Sequence, residues 1–231
     1  MKKLIISHMS FKFNKQKNYF FHNANVTFES GKIYFIQGKN GVGKTTFFSI
    51  LQGTIPQNAL LSGSVTFNNK EYVIKNNTMN AELSCHIKTM LQDSNKMVIN
   101  TMTVEENVKL AQLPLYPRLK PLASSTHVPT MMRNFNIDPS LPVKQLSGGQ
   151  KQILAIIMTL QKPTQVLLLD EPTAALDDKN SHMVIQFLET LAQQLDLIVI
   201  IITHDKELTD TYAQHRKIVI KKEDEEIRTI E

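Results

Sequence analysis

The sequence lacks several features that mark particular classes of protein. Tryptophan is absent and Cys85 is the single cysteine, so an internal disulfide is impossible and a reducing compartment is favoured. The longest apolar runs, residues 153–158 and 197–202, are far shorter than the ~20 residues of a membrane-spanning helix. The apolar stretch near the N-terminus, residues 4–6, is too short for a secretory signal. We therefore expect a soluble intracellular protein.

The composition is that of an ordinary globular domain. The 231 residues are 42% hydrophobic and 20% charged, and a chain of this length can bury roughly 70% of its unfolded surface without a metal or disulfide. Lys and Arg number 26 against 21 Asp and Glu, which gives a net charge of +5, and most of the basic residues are lysines. No aromatic residues interleave with a basic stripe. We therefore expect no nucleic-acid partner, although an anionic ligand would suit the charge.

Short apolar runs alternate with helical patterns along the chain. Strands are predicted at residues 4–7, 33–37, 65–67, 166–169, 197–203 and 217–220, and the last three have the continuous apolar composition of a sheet covered on both faces. Helices are predicted at residues 45–52, 104–112, 148–160, 180–194 and 206–213, the second beginning with the capping-box spacing from Thr103 to Glu106. This alternation predicts an α/β fold with a mainly parallel sheet.

The middle of the chain is rich in proline, which excludes a long helix there. Six of the nine prolines fall in this part of the chain, namely Pro114, Pro117, Pro121, Pro129, Pro139 and Pro142. We therefore predict one domain in which residues 1–90 and 147–231 form the core and residues 91–146 form a loop-rich insert.

Residues 38–45 carry the clearest chemical signal. They read Gly-Lys-Asn-Gly-Val-Gly-Lys-Thr and match the pattern G-x-x-x-x-G-K-[ST] between a predicted strand and a predicted helix, which is the context of a phosphate-binding P-loop. Backbone N–H groups and the helix N-terminus would hold the phosphates. Lys44 would pair with the β- and γ-phosphates, and the Thr45 hydroxyl would coordinate Mg²⁺.

Two carboxylates end a later apolar strand. Asp170 and Glu171 follow residues 166–169, and because adjacent strand residues point to opposite faces, the two must do different work. Asp170 can hold the magnesium shell, and Glu171 can orient or deprotonate an attacking water.

A second helix start could also bind an anion. Residues 146–150 read Leu-Ser-Gly-Gly-Gln, in which Ser147 is a good N-cap and the paired glycines leave backbone N–H groups approachable. One nucleotide does not need two such sites in one chain, but two copies arranged head to tail would use both. A plain capped helix explains the same residues equally well.

Taken together and in order, these motifs resemble those of the ATP-binding cassette (ABC) ATPases over nearly the whole chain. Residues 38–46 resemble the Walker A loop, 166–171 the Walker B strand, 146–150 the signature and 174–177 the D-loop. Gln92 is similar to the Q-loop glutamine and His204 to the switch histidine. Phe13 falls where the family keeps an aromatic residue that stacks on adenine, and Phe11 is a nearby competitor for that role.

The resemblance implies an ABC ATPase fold with an antiparallel β part and a helical subdomain insert, and it implies roles for individual residues. The implied catalytic residues are Lys44, Gln92, Glu171 and His204. The implied Mg²⁺ ligands are Thr45, Gln92 and Asp170. The residues implied to contact ATP are Phe13, Gly38, Asn40, Gly41, Gly43, Lys44, Thr45, Thr46, Ser147, Gly148, Gly149, Gln150 and Asp177.

The implied function is that of the ATP-hydrolysing subunit of an ABC transporter at the inner face of the cell membrane. Its partners would be transmembrane permease subunits, a second ABC ATPase subunit of the same or a different chain, and in some systems a substrate-binding protein. ATP would close the pair of cassettes and hydrolysis would reopen it, which shifts the membrane subunits between two states.

Two other functions fit parts of the pattern. A soluble ABC ATPase of the iron–sulfur assembly type has a compatible length. A degenerate cassette that binds ATP without hydrolysing it is disfavoured by the intact Lys44, Asp170, Glu171 and His204. Ile153 and Met158 also stand where many relatives carry basic residues, so we expect the helix that contains them to be buried.

Overall fold

Strands and helices alternate along the described part of the chain in this computed structural model, which covers residues 1–14, 17–55, 58–74, 81–90, 96–113, 132–212, 216–222 and 228–230. The strands are β1 (Lys3–Phe13), β2 (Phe21–Glu29), β3 (Lys32–Gln37), β4 (Ala59–Phe67), β5 (Lys70–Val73), β6 (Ile87–Met90), β7 (Val166–Asp170), β8 (Ile198–Ile202), β9 (Arg216–Lys222) and β10 (Arg228–Ile230). The helices are α1 (Lys44–Gln52), α2 (Ala81–His86), α3 (Val104–Gln112), α4 (Gly148–Thr159), α5 (Asp178–Gln194) and α6 (Lys206–Thr211).

The sheet is parallel at one end and antiparallel at the other. Its order is β5-β4-β1-β2-β10-β9-β3-β8-β7-β6, in which the strands from β9 to β6 run parallel and those from β5 to β2 antiparallel. The short strand β10 pairs antiparallel with β9 and parallel with β2. The predicted α/β architecture with a mainly parallel core and an antiparallel part is therefore present.

The two faces of the sheet bury separate clusters of apolar side chains. Along β8, Ile198, Ile200 and Ile202 join one cluster, whereas Val199 and Ile201 join the other, as the two-residue period of a strand requires. Helix α1 covers the first face, and α3, α4, α5 and α6 cover the second. Because both faces are covered, β8 is apolar throughout and β7 is apolar up to its last residue, Asp170.

The prediction of a strand covered on both faces was wrong for β9. Only Ile218 and Ile220 are buried in this strand, while its remaining residues are exposed or half-buried. Strand β9 lies between β3 and β10, where the parallel and antiparallel parts of the sheet meet, and the burial alternates as in a sheet with one solvated face.

The helix predictions were largely confirmed. Helix α3 begins at a capping box in which Thr103 and Glu106 bond each other's backbone N–H groups. Helix α4 is buried over most of its circumference, as expected, and Ile153 is completely inaccessible. No helix within the described ranges is both long and apolar enough to cross a lipid bilayer.

The parallel sheet places the chemically interesting segments at one edge. Strands β3, β8 and β7 are neighbours, and their carboxyl ends are in register, with Ile36 opposite Ile202 and Ile202 opposite Asp170. The residues that follow these ends are Gly38, Thr203 and Glu171. Three segments that are distant in sequence therefore converge at the carboxyl edge, which is where α/β sheets bind ligands.

Candidate functional site

The loop of residues 38–43 connects β3 to α1, and each of its three glycines has a positive φ. Gly41 and Gly43 adopt φ angles of 74° and 110°, in the region that side chains disfavour. A Cβ atom on Gly43 would also lie 2.5 Å from Cε1 of Phe20. Close packing of an aromatic ring against the loop backbone therefore excludes a larger residue here.

Lys44 is the first residue of α1 and is 6% exposed. Its Nζ donates hydrogen bonds to the carbonyl oxygens of Gly38 (2.8 Å) and Lys39 (3.2 Å), so the loop curls around the ammonium group. Burial lowers the pKa of Lys44, and the carboxylates of Glu171 and Asp170 oppose that effect. The result is a partly desolvated cation that can pair with an anionic ligand.

The two carboxylates occupy different environments, as the strand geometry predicts. Asp170 is the last residue of β7, whereas Glu171 leaves the strand with a φ of 50° and its N–H donates to the carbonyl of Ile202 (2.9 Å). A positive φ at a residue other than glycine is strained and is common at functional sites. Burial raises the pKa of both carboxyl groups, which shows that each is partly withdrawn from water.

His204 lies beside Glu171. The backbone N–H of His204 donates to Oε2 of Glu171 at 3.4 Å, and Nε2 of the imidazole lies 3.4 Å from Oε1. The second contact lacks hydrogen-bond geometry, so among the described residues the buried Oε1 has no hydrogen-bond partner. An unsatisfied buried carboxylate oxygen is costly and is available to accept a proton or a hydrogen bond from a ligand.

These groups line one cavity of about 780 Å³. Its lining residues are Phe20, Asn40, Gly41, Gly43, Lys44, Thr45, Thr46, Asp170, Glu171, Ala174, Ile202 and His204. The Thr45 hydroxyl and the Asp170 carboxylate are oxygen ligands of the kind that Mg²⁺ prefers. The cavity thus holds the expected phosphate-binding loop, a pair of oxygen donors for a hard cation, and a carboxylate with a histidine beside it.

Gln92, the expected fourth catalytic residue, lies outside the described residues. Its predicted contact with magnesium and water therefore stays a prediction.

Three phenylalanines form the aromatic corner next to this cavity. Phe11 is completely buried and belongs to the core, whereas Phe13 is half-buried; both rings line a smaller cavity of about 170 Å³ together with Thr45 and Thr46. Phe20 was not singled out from the sequence, yet its ring contacts both Phe13 (5.3 Å between centroids) and the P-loop. The only signal that could have identified it was the requirement for glycine at position 43.

The helix start at Ser147 is formed as predicted but does not line the cavity. Ser147 caps α4 by accepting a hydrogen bond from the N–H of Gln150, and Oε1 of Gln150 accepts one from the N–H of Ser147, so the two form a capping box. Gly148 is exposed, whereas Gly149 is buried. A Cβ on Gly149 would lie 2.6 Å from Asn180, so this glycine allows α4 to approach α5 closely.

Asp177 has a clear structural role. Its carboxylate accepts a hydrogen bond from the N–H of Asn180 at 2.8 Å and caps the start of α5. The carboxylate is exposed and lies outside the lining of the cavity.

Comparisons with known proteins identify one family. The sequence model of a family described as "ABC transporter" matches residues 21–174. The tyrosine transport ATP-binding protein of Clostridioides difficile strain R20291 is 30% identical over 197 residues, which are 82% of this chain and 76% of that protein. The energy-coupling factor transporter ATP-binding protein EcfA1 of Thermotoga maritima is 31% identical over 217 residues, covering 90% of this chain and 75% of the relative.

A solved structure agrees with the sequence comparisons at the level of the fold. The structure of cbiO1 from Clostridium perfringens, described as part of the ABC transporter complex cbiONQ, superposes with a TM-score of 0.73 over 99% of this chain and 86% of that one. The two sequences are 23% identical, so the likeness is one of fold. The named relatives are transport proteins, and none supports the iron–sulfur assembly alternative.

Proposed function

Because the chain belongs to the ABC transporter family as an ATP-binding, ATP-hydrolysing subunit, we propose that Lys44, Glu171 and His204 carry out the hydrolysis that powers transport. The observation that carries the proposal is their convergence on one cavity at the carboxyl edge of the parallel sheet. No other group of described residues combines a P-loop lysine with unsatisfied buried carboxylate oxygen.

Each group has a task that its environment supports. Lys44 binds the β- and γ-phosphates, exchanging the carbonyls of Gly38 and Lys39 for phosphate oxygens. Glu171 accepts a proton from the water that attacks the γ-phosphorus, while the bond from that phosphorus to the bridging oxygen breaks and ADP leaves. Its raised pKa makes it a better base than an exposed carboxylate. The imidazole of His204 donates to a γ-phosphate oxygen, and the backbone N–H of His204 keeps Glu171 oriented by donating to its Oε2.

A divalent cation fits the donor set beside the P-loop. Thr45 and Asp170 would hold Mg²⁺, which neutralises phosphate charge when it is bound. Gln92 remains a proposed third ligand.

The remaining predicted contacts divide between one chain and a second. Phe13 would stack on the adenine ring, supported by its partial exposure above Thr45 and Thr46. Ser147 and the neighbouring residues 148–150 would bind the γ-phosphate of an ATP held by another cassette, together with Asp177. The exposed positions of Ser147, Gly148 and Asp177, away from the cavity of their own chain, support such a head-to-tail pair.

The proposed partners are transmembrane permease subunits and a second ABC ATPase subunit, with a substrate-binding protein in an import system. The chain would work at the inner face of the cell membrane, bound to those subunits. Support comes from the relatives, which are named as ATP-binding proteins of transporters, and from the cbiO1 structure, which is described as part of a transporter complex.

ATP turnover by three variants tests the site. Glu171→Gln should lower kcat by roughly 100-fold or more while a fluorescent ATP analogue still binds, because the general base is lost and the P-loop is intact. Lys44→Ala should lose nucleotide binding itself. Glu105→Gln is the matched control, since Glu105 is an exposed carboxylate in α3 that pairs with Lys109. Parental turnover by both site variants would show that the cavity is not the catalytic centre.

Co-purification tests the transport role. A tagged Glu171→Gln chain should trap the ATP-bound state, and Mg-ATP should be kept present while it is purified from detergent-solubilised membranes of the native cell. Mass spectrometry is expected to find a polytopic membrane protein in the eluate, absent when Lys44→Ala is the bait. Recovery of soluble partners alone in repeated trials would overturn the transport role in favour of the assembly function.

A further inference from the structure

A hydrogen bond joins the strand that leads into the P-loop to the helix that follows His204. Nε2 of Gln37 donates to Oγ1 of Thr209 at 2.7 Å, between residues 172 positions apart in the sequence. We propose that Gln37 and Thr209 are positioning residues that hold His204 in register with the P-loop for catalysis. The inference rests on the function proposed above, because it assigns no task to the pair apart from ATP hydrolysis.

The link lies where the backbone ladder stops. Strands β3 and β8 are paired up to Ile36 and Ile202, and after that Gln37 pairs with Val219 of β9 on its other side. His204 lies two residues beyond Ile202, and Gly38 lies two residues beyond Ile36, the last residues that pair β8 with β3. The sheet alone therefore fixes neither segment against the other. The Gln37–Thr209 bond is a direct side-chain connection between them.

The Thr209 hydroxyl is held in one orientation. It is completely buried, it donates to the carbonyl of Lys206 at 2.9 Å, and it accepts the bond from Gln37. With its one proton used within α6, the hydroxyl can only accept from Gln37. A buried and fully committed hydroxyl of this kind resists displacement, since a broken bond would leave an unsatisfied polar group.

Helix α6 transmits the link to His204. Asp205 caps the helix by accepting from the N–H of Leu208, and the N–H of Thr209 donates to the carbonyl of Asp205. The N–H of Asp205 in turn donates to the hydroxyl of Thr203. The segment from Thr203 to Thr209 is therefore bonded to itself on both sides of His204, and it should move as a unit.

On the other side, Gln37 adjoins the carbonyl that binds the catalytic lysine. Gly38 follows Gln37 directly, and its oxygen accepts the 2.8 Å bond from Nζ of Lys44. A shift of Gln37 would therefore move the Gly38 carbonyl, and with it the ammonium group of Lys44, relative to His204 and Glu171. Since both of those residues are proposed to act on the γ-phosphate, the distance between them and the P-loop determines the turnover rate more than it determines ATP affinity.

Steady-state ATP hydrolysis by Thr209 variants tests the link. Thr209→Val removes the hydroxyl at nearly constant volume and should lower kcat by about three- to tenfold with little change in KM, as expected for the loss of one hydrogen bond. Thr209→Ser keeps the hydroxyl and should restore the parental kcat. Thr190→Val is the matched control, because Thr190 bonds the carbonyl of Gln186 in the same way on an exposed part of α5.

The His204→Ala background separates positioning from general structural support. If Thr209 acts through His204, Thr209→Val should have no further effect on the residual turnover of His204→Ala. An equal loss in both backgrounds, or an unchanged kcat in Thr209→Val, would overturn the proposal. If Thr209→Val does not fold, Gln37→Leu is measured in the same two backgrounds and must show the same pattern.

The failure of the link is distinguishable from failure of the site. A normal kcat in Thr209→Val together with a collapsed kcat in Glu171→Gln would reject the link alone. Parental turnover in Glu171→Gln would reject the catalytic assignment on which the link depends.

Discussion

Replacement of Glu171 by glutamine should stabilise the nucleotide-free protein while it abolishes turnover. The Glu171 side chain is 15% exposed, its Oε1 has no hydrogen-bond partner among the described residues, and burial raises its pKa from the ordinary value of 4.5. A carboxylate in this position is held in the folded state against its own solvation preference. Glutamine has the same shape and keeps a polar group at each position, but it carries no charge to desolvate.

The expected gain in the free energy of unfolding follows from what the substitution of Glu171 by glutamine leaves unchanged. The strained φ of 50° persists, as does an unsatisfied polar atom at the position of Oε1, so only the excess cost of the charged form is removed. That excess is about 1–2 kcal/mol at neutral pH for a group buried to this extent. In a domain of this size, each kcal/mol shifts Tm by roughly 2–4 °C, so a rise of about 2–8 °C is expected.

The gain should depend on pH with a definite sign. Because the folded-state pKa of Glu171 lies above its unfolded value of 4.5, the ionised carboxyl destabilises the fold at neutral pH, and this penalty fades as pH falls toward the unfolded value. Glutamine does not titrate. The difference in stability between variant and parent should therefore be largest near neutral pH and should shrink in mildly acidic buffer.

Thermal unfolding followed by far-ultraviolet circular dichroism, in EDTA and without nucleotide, measures both effects. Glu105→Gln is the control, since Glu105 is exposed and ion-paired with Lys109, and its loss should change the stability by a few tenths of a kcal/mol at most. A variant no more stable than its parent at neutral pH would refute the reasoning. A gain of equal size at both pH values would also refute it, since ionisation could then not be the cause.

Three further outcomes follow from the same contacts. The acid limb of the kcat profile should lie above the ordinary glutamate pKa of 4.5, since Glu171 must be ionised to act as base, and a limb at or below that value would contradict this role. Gly63→Ala should lower the free energy of unfolding by about 2–4 kcal/mol in urea melts, because the φ of Gly63 is 121° and a Cβ would lie 2.8 Å from the Ser7 carbonyl. Gly31→Ala is the control: its φ of 76° is strained but a Cβ there meets nothing within 4 Å, so the free energy of unfolding should fall by only about 1 kcal/mol. Phe13→Ala should raise KM for ATP roughly tenfold with kcat little changed, and Phe13→Tyr should restore it, whereas an unaltered KM would exclude stacking on this ring.

The chemistry of the site was largely predictable because it is local in the sequence. A P-loop holds phosphate with consecutive backbone N–H groups, so its glycines, Lys44 and Thr45 must be contiguous. Asp170 and Glu171 likewise follow one apolar strand. The order of the sheet then brings these segments together without any further signal from the residues.

The antiparallel part of the fold was harder to predict because its strands are irregular or short. Strand β2 contains Asn23 with a φ of 49°, and its pairing with β1 shifts register on both sides of Met9, so the two-residue pattern is interrupted. Strands β5 and β10, like β6 at the far edge of the parallel part, have three or four residues each, which is too few to show a period. Strand β9 resembles a buried strand in sequence, yet its lysines lie on a solvated face.

The choice between Phe11 and Phe13 shows what pattern alone can and cannot decide. Residues two apart along a strand share a face, so alternation does not separate these rings, and they are in edge-to-face contact with 4.8 Å between centroids. They differ in burial because Phe11 pairs with both Phe21 of β2 and Leu61 of β4, whereas Phe13, at the end of β1, pairs only with Ala59 of β4. Phe11 is buried and Phe13 is half-buried, and the stacking of Phe13 on adenine stays a prediction.

Ser147 illustrates the same limit at the level of function. A capped helix and an anion site were equally good interpretations of residues 146–150, and the capping box that is present satisfies both. Gly149 does not leave its backbone open, because it is buried against Asn180 and allows α4 and α5 to pack closely. Ser147 and Gly148 remain exposed at this turn. The anion-binding interpretation therefore depends on what a second molecule brings to the exposed end of α4.

Residues that position the chemistry are non-local for a physical reason. Backbone pairing between β3, β8 and β7 stops where these strands end, and the side chains that bridge the segments beyond those ends come from elements distant in sequence. Phe20 packs on Gly43, and Gln37 bonds Thr209, across separations that no motif spans. Neither Gln37 nor Thr209 has an unusual sequence context, and from the sequence each would be interpreted as an ordinary polar residue without a function. If the Thr209 variants behave as expected, the rate of this ATPase depends on a pair of residues that only the folded sheet brings together.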